Sequence, residues 1–304
     1  NNPEWLVQKI SQQYPNDTGA LLHAIDQRAP MVLRVNTSKI SPEDYCLQLR
    51  AGDIPYTVSA PAKAIVLATP QPAASLPGWS EGQIAVQELS AQFAADIVLQ
   101  NMPLGADIPK LFDACCAPGG KLYQLHEQLS GRFASHQLVG NDKSPTRLEA
   151  TRKIGQRLGH SDDSRILFQN TDASAADAMG DGNYDVVIID APCSGSGTIR
   201  RNPDIRLLLQ PEQIQEQQSV QSALLRNLWR SLKQGGTLLY STCSVFEEEN
   251  DGVIEKFVGE HTEAHVQPLQ LPLGAATRFG WQMLPSEPTT DGFFYALIRK
   301  AQSS

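Results

Sequence analysis

Short apolar runs that close on a small or acidic residue alternate with amphipathic stretches over the last three quarters of this chain. That alternation predicts strands and helices in turn, the pattern of a sheet with crossover connections. Gln87–Gln100 reads as a helix, Lys110–Cys115 as a strand, Lys121–Leu129 as a helix and Gln137–Asn141 as a second strand. Ser144–Leu158 is a helix with marked ends: Ser144 caps it, Pro145 starts it and Gly159 stops it. Ile166–Asn170 and Tyr184–Asp190 follow as strands. Pro211–Leu232 is a long helix with Leu225, Trp229 and Leu232 on one face, ended by Gly235 and Gly236. Thr237–Ser241 is a fifth strand, Glu247–Gly259 a helix and Phe293–Ile298 a final strand. The order predicts an α/β, Rossmann-like, doubly wound sheet.

The first residues differ. Trp5–Tyr14 and Ala20–Arg28 read as helices, Met31–Val35 and Ala64–Ala68 as strands, and Ser41–Ala51 as a helix capped by Ser41. These form a small α+β unit. Thr69–Pro77 is proline-rich and reads as a boundary, so the expected domains are 1–77 and 78–304.

Composition narrows the classes. The 304 residues are 41% hydrophobic, ample for a core, without an apolar run long enough to span a membrane. No secretory segment opens the chain. It starts at Asn1 without Met, so a longer protein is expected around it. The five cysteines show no Cys-x-x-Cys and no paired spacing, which implies a reducing cytoplasm and no structural zinc. His261 and His265 read as a solvated pair rather than metal ligands. A monomer is expected. The net charge of −8 argues against a general polyanion binder, although a local basic groove is compatible with it.

The chemistry lies at strand ends, where open α/β sheets bind ligands. The first strand runs into Cys115-Cys116-Ala117-Pro118-Gly119-Gly120-Lys121, which opens a helix. Small residues there let a ligand approach, and a helix N-terminus favours an anion. Asp142 ends the second strand at the interval past the loop, about 20 residues, where a carboxylate takes a ribose hydroxyl pair. Asp172 follows the third strand and suits an adenine amino group. The loop is neither Gly-x-Gly-x-x-Gly nor a P-loop, which disfavours dinucleotides and nucleoside triphosphates and leaves S-adenosylmethionine as the fitting cofactor.

The fourth strand ends on Asp190 and leads into Pro192, Cys193, two glycines and the pair Arg200 and Arg201, with Arg206 beyond. The fifth leads into Thr242-Cys243-Ser244, then Glu247-Glu248-Glu249-Asn250. Neighbouring strands would bring Cys193 and Cys243 together. A buried turn cysteine is the plain alternative for each. Two thiols beside a methyl donor suggest methylation of a pyrimidine at carbon 5, activated by thiolate addition at carbon 6.

Asp-Ala-Cys-Cys-Ala-Pro-Gly-Gly-Lys, Asp-Ala-Pro-Cys-Ser-Gly-Ser-Gly-Thr-Ile-Arg-Arg-Asn-Pro-Asp-Ile, Tyr-Ser-Thr-Cys-Ser-Val and Asp291-Gly292-Phe293-Phe294-Tyr295 closely resemble the RNA cytosine-5 methyltransferases. Within them the match is nearest the small-subunit ribosomal RNA methyltransferase B (Sun/Fmu) branch, over most of Ser80–Lys300. The resemblance implies Cys243 as nucleophile, Cys193 as the residue that helps release the product, and Asp190 at the base and cofactor. It implies Cys115 to Lys121, Asp142 and Asp172 as S-adenosylmethionine contacts. It implies an RNA-recognition-like N-terminal unit, and that branch carries a helical antiterminator-like domain ahead of it, not contained in these residues. Arg200, Arg201 and Arg206 are the expected RNA contacts. Two departures touch the cofactor loop: Cys116 stands where Ala is usual and Leu122 where Thr is usual, and Gly131–His136 is a longer connection than the common one.

The same chemistry on transfer RNA or another RNA is one alternative. A non-catalytic RNA-binding assembly factor is another, although binding alone needs neither thiol. A DNA cytosine methyltransferase would use the Pro-Cys cysteine as nucleophile and have no need of Cys243. A nicotinamide dehydrogenase is disfavoured by the loop.

Overall fold

Ser41 accepts a hydrogen bond from the Asp44 amide and Pro42 occupies the first helical position, so the chain turns into a helix there for local reasons. The computed structural model describes residues 2–59, 64–103, 107–175, 180–285 and 289–302. Its helices are α1 (Glu4–Gln13), α2 (Thr18–Asp26), α3 (Pro42–Ala51), α4 (Leu89–Gln100), α5 (Gly120–Arg132), α6 (Pro145–Leu158), α7 (Ile205–Leu208), α8 (Pro211–Ser231) and α9 (Asp251–Glu260). Its strands are β1 (Met31–Val35), β2 (Tyr56–Ser59), β3 (Ala64–Leu67), β4 (Ile84–Val86), β5 (Lys110–Asp113), β6 (Gln137–Asn141), β7 (Ile166–Gln169), β8 (Tyr184–Asp190), β9 (Leu232–Thr242), β10 (Ala264–Gln267), β11 (Ala275–Ala276), β12 (Trp281–Met283) and β13 (Phe293–Lys300).

The chain forms two compact units, one of Asn1–Ala29, Ser174–Gly182 and Ile188–Ser304, the other of Pro30–Ala173 and Asn183–Val187. The Pro-rich stretch Thr69–Pro77 falls inside the second and contains a 3₁₀ turn, Ala73–Ser75. The second unit holds the antiparallel sheet β2-β3-β1-β4, on whose core Tyr45 and Leu49 of α3 pack with Leu33 and Ile65. It also holds the strand order β8-β5-β6-β7, with β5, β6 and β7 parallel. Asp185 of β8 accepts a bond from the Lys110 amide at 2.9 Å and so fixes the start of β5. Val186 to Ile189 are fully buried, as their unbroken apolar run implies.

The first unit holds the order β11-β12-β13-β9-β8, with β10 on β13. Here the sheet is mixed, because β13 runs antiparallel to β9 as well as to β12 and β10. Among the described residues no helix lies between β12 and β13, and a parallel return needs a long crossover. Leu6, Ile10, Leu21 and Ile25 of α1 and α2 pack with Ile199, Leu209, Ile214, Val245 and Phe246 of the same unit.

Two expected ends move. The long helix stops at Ser231, before Gly235, and β9 starts at once on the buried Leu232. Lys300 Nζ donates to the Trp229 and Leu232 carbonyls at 2.7 and 2.9 Å, so an ammonium and not a glycine satisfies the helix terminus. The helix expected from Glu247 is instead a 3₁₀ turn, Glu247–Glu249, followed by a break at Asn250 and then α9. Asn250 breaks it because its side chain bonds Thr242 Oγ1, the Ser244 carbonyl and Gln282. The short strands β2, β4, β10, β11 and β12 and the single-turn α7 carry too little periodicity to be read from the chain.

The longer connection before His136 also has a structural role. His136 is buried, and its Nε2 lies 3.1 Å from Nδ1 of the buried His126. His126 Nε2 is 3.1 Å from Asp163 Oδ2. Both bonds are made when His126 donates to Asp163 and His136 donates to His126, which leaves His136 Nδ1 as a bare acceptor with no partner among the described residues. Burial first, then the charges of His160, His136 and Arg165, push His126 down to about 4, with Asp163 opposing them. A histidine depressed when folded binds its proton first in the unfolded chain. Its contribution is therefore complete above about 6.5 and lost as the pH falls toward about 4. Urea unfolding across that window is expected to show stability falling by about 1.4 kcal/mol per pH unit from this group. His126→Asn is expected to flatten that slope.

Candidate active site

The site residues read from the chain fall into two groups, one in each unit. In the second unit, β5 closes on Asp113 and the loop Cys115 to Gly119 turns into α5. The turn needs glycine: Gly119 has φ 102°, and a Cβ there would stand 2.7 Å from the Tyr123 ring and 2.9 Å from Thr151. Gly119 offers no side chain to cap α5, so the cap residue supplies no side-chain acceptor to the first turn. The Cys116 amide bonds the Asn141 carbonyl at 2.8 Å and the Gly119 amide bonds the Cys116 carbonyl at 2.7 Å. Cys116 is buried, and burial pushes its thiol up, with Asp113 and Asp142 adding to the effect. The two departures in this loop share one neighbour, since Cys116 Sγ and the Leu122 methyls all lie beside Gly140 of β6.

Asn141 organises the strand ends. Its amide group donates to the Ala114 and Thr171 carbonyls at 2.9 and 3.0 Å, and its oxygen accepts from the Thr171 amide at 3.0 Å. Nothing in the chain singled Asn141 out, although it directly precedes Asp142. Asp142 is buried at the end of β6, takes the Ser144 amide at 2.9 Å and lies 3.2 Å from Arg147. Arg147 also donates to the Ala117 carbonyl at 2.7 Å, so one arginine links the acid to the loop. Asp172 is exposed beyond β7, and Lys121 is buried in the first turn of α5.

In the first unit, β8 and β9 are neighbours and each ends in a thiol-bearing loop. Asp190 accepts from Ser241 Oγ at 3.1 Å. Cys193 Sγ and Cys243 Sγ stand 3.4 Å apart. The bond with Cys243, burial, and the negative charges of Cys243 and Glu249 push the Cys193 thiol well above its ordinary range, with the Gly195 backbone opposing. Gly197 lets the loops close up: its amide bonds the Cys243 carbonyl at 2.9 Å, and a Cβ on it would lie 2.4 Å from the Gly292 carbonyl.

The arginines are placed otherwise than as an open cluster. Arg200 is buried and donates to Asp291 at 2.6 Å, and Arg201 pairs with the other oxygen of the same carboxylate. Arg206 pairs with Asp26 at 2.6 Å and bonds the Ile25 carbonyl. Glu249 was not singled out, yet it is fully buried and takes bonds from both thiol-bearing loops. The available signal was its place at the end of an acidic run six residues past Cys243. Among the described residues no cluster could hold a metal ion, and no helix is long and apolar enough to cross a membrane.

Residues 103–299 match the family described as 16S rRNA methyltransferase RsmB/F. The chain belongs to that family. It is a family of S-adenosylmethionine-dependent methyltransferases. Residues 2–74 match the ferredoxin-like domain of RsmF/B-like methyltransferases. The chain is 37% identical over 98% of its length to ribosomal RNA small subunit methyltransferase B of Xanthomonas campestris, covering 66% of that protein. It is 34% identical over 99% of its length to the protein of the same name from Shewanella oneidensis, covering 67% of it. The chain thus spans about two thirds of the length of these relatives. The fold is shared with NSun6 from Pyrococcus horikoshii, solved with SFG, at a TM-score of 0.86 and 17% identity over 99% of each chain.

The loop geometry predicts opposite outcomes for two glycines of α5 and its cap. Gly119→Ala is expected to destabilise the chain by about 1–3 kcal/mol, through the positive φ and the ring of Tyr123. Gly131→Ala is expected to stabilise it by about 0.5–1 kcal/mol, because the site is exposed, helical and clear of neighbours. Denaturant unfolding of the two variants checks both.

Proposed function

We propose that this chain transfers a methyl group to carbon 5 of a cytosine in RNA, with small-subunit ribosomal RNA as the substrate and S-adenosylmethionine as the donor. The observation that carries the reading is the pair of thiols 3.4 Å apart beyond β8 and β9. A cytosine ring carbon 5 is a poor nucleophile until a thiolate adds at carbon 6. Cys243 is assigned that addition because its Thr242-Cys243-Ser244 motif resembles the one that carries the nucleophile in the RNA cytosine-5 methyltransferases. As Cys243 Sγ bonds to carbon 6, the ring electrons shift to carbon 5 and toward ring nitrogen 3. Asp190, oriented by Ser241, is assigned the base edge at ring nitrogen 3. After methylation the carbon 5 proton must go to a base as the Cys243 bond to carbon 6 breaks, and Cys193 is assigned to this release. The base must leave its stack to reach these groups.

The second unit fits the donor. The uncapped first turn of α5 suits a carboxylate, Asp142 suits a ribose and Asp172 an adenine amino group. Cys115 to Lys121 supply the surrounding loop. When bound, S-adenosylmethionine supplies an electrophilic methyl group. NSun6 was solved with SFG, which supports a nucleoside-type ligand for this fold. Residues 1–77 are assigned to RNA, supported by the ferredoxin-like match. Arg201 and Arg206, both partly exposed, are assigned as RNA contacts, whereas Arg200 is enclosed with Asp291 and tethers the loop from within.

Asp142→Ala is expected to weaken S-adenosylmethionine binding by about 1–3 kcal/mol, the cost of charge-assisted hydrogen bonds. Titration calorimetry checks this, and unchanged affinity removes Asp142 from the site. The cysteine assignment is read from unmethylated ribosomal RNA with S-adenosylmethionine on a denaturing gel. Cys243→Ala is expected to abolish methylation and leave no covalent complex. Cys193→Ala is expected to methylate at most once and stay linked to RNA as a slow band. The opposite pattern would reverse the two roles.

A further inference from the structure

Each thiol is followed by a serine, Cys193-Ser194 and Cys243-Ser244, and both serines turn inward onto one side chain. Glu249 Oε2 takes the Ser194 and Ser244 hydroxyls, each at 2.5 Å. Glu249 Oε1 takes the Ser194 amide at 2.7 Å and Gln221 Nε2 at 3.3 Å. Four donors on two oxygens match the acceptor capacity of a carboxylate. Gln221 also donates to the Pro192 carbonyl at 2.9 Å, so the residue before Cys193 is tied to the same point. The Glu249 carbonyl accepts from Tyr240 of β9 at 2.7 Å, which anchors the turn to the strand that carries Cys243.

We propose that Glu249 is the positioning residue of the thiol pair: its buried carboxylate fastens Ser194 and Ser244 to one point and thereby holds Cys193 and Cys243 at contact distance. A carboxylate does this better than a neutral group, because charge-assisted bonds are shorter and stronger. The burial of Glu249 removes competing water. Its charge also helps Cys193 keep its proton. The proposal rests on the cytosine-5 reading for its catalytic meaning, while the spacing of the thiols is measurable without RNA.

Two readouts test it on the full chain. In the first, diamide oxidises the protein alone. The Cys193 and Cys243 S–H bonds break, one S–S bond forms, and diamide takes up the two electrons and two protons to become a hydrazine. Peptide mapping separates this bond from any involving Cys46, Cys115 or Cys116. The second readout is kcat and KM for methylation of ribosomal RNA. Glu249→Ala is expected to lower both the rate of Cys193–Cys243 bond formation and kcat by at least about tenfold, since small misplacements at reacting groups are costly. KM for RNA and for S-adenosylmethionine is expected to change less than about twofold, because neither is assigned to Glu249. Glu249→Gln is expected to recover a substantial part of both rates, as an amide keeps one acceptor and the serine hydroxyls can turn to accept. If Glu249→Ala does not fold, Ser194→Ala combined with Ser244→Ala cuts two of the ties and is held to the same expectation. Oxidation and kcat both within about twofold of the parent chain in the folded variant would overturn the proposal. If the parent chain methylates no cytosine, the functional reading fails, and the oxidation rates still decide the role of Glu249.

Discussion

A polar group withdrawn from water must find its partner inside the protein, and that constraint shapes both groups of site residues. In the second unit the buried group is Asn141, whose amide bonds chain segments after β5 and β7 at distances of 2.9 to 3.0 Å. In the first it is Glu249, whose carboxylate collects the loops after β8 and β9. Each unit thus uses one satisfied polar side chain where the sheet itself no longer supplies hydrogen bonds. Loops fastened this way are more precise supports for chemistry than loops held by apolar packing, because the bonds specify direction as well as distance.

Proximity also constrains the two thiols. Identical side chains 3.4 Å apart cannot both carry charge at low cost. The bond with Cys243, burial and the charges of Cys243 and Glu249 push the Cys193 thiol up. The arginines follow similar logic. In a chain of net charge −8, Arg200 and Arg201 share Asp291 and Arg206 meets Asp26, so positive charge beside the Cys193 loop is partly balanced within the unit. Any RNA field from this region is correspondingly local.

Much of this was legible in the chain because its cause is local. Val186–Ile189 is buried as a continuous apolar run, and Ser144, Pro145 and Gly159 end α6 where their own chemistry puts them. Strand ends carrying Asp142, Asp190 and the two cysteines could be placed because strand length and turn residues locate them. The family could be named because its motifs are long and specific. Other features were decided only by the fold, because their cause lies far along the chain. Lys300 ends α8 by reaching the Trp229 and Leu232 carbonyls, an effect that no window around Gly235 contains. Asn250 interrupts the expected helix for bonds to Thr242 and Gln282. Arg200 is basic in the sequence and buried against Asp291 in the fold. Glu249, one of three successive glutamates, differs from its neighbours only because folding brings Ser194 to it from 55 residues away. Residue type and spacing determined which groups could do chemistry. The pairing of buried polar atoms across long sequence separations decided which of them are held in place to do it.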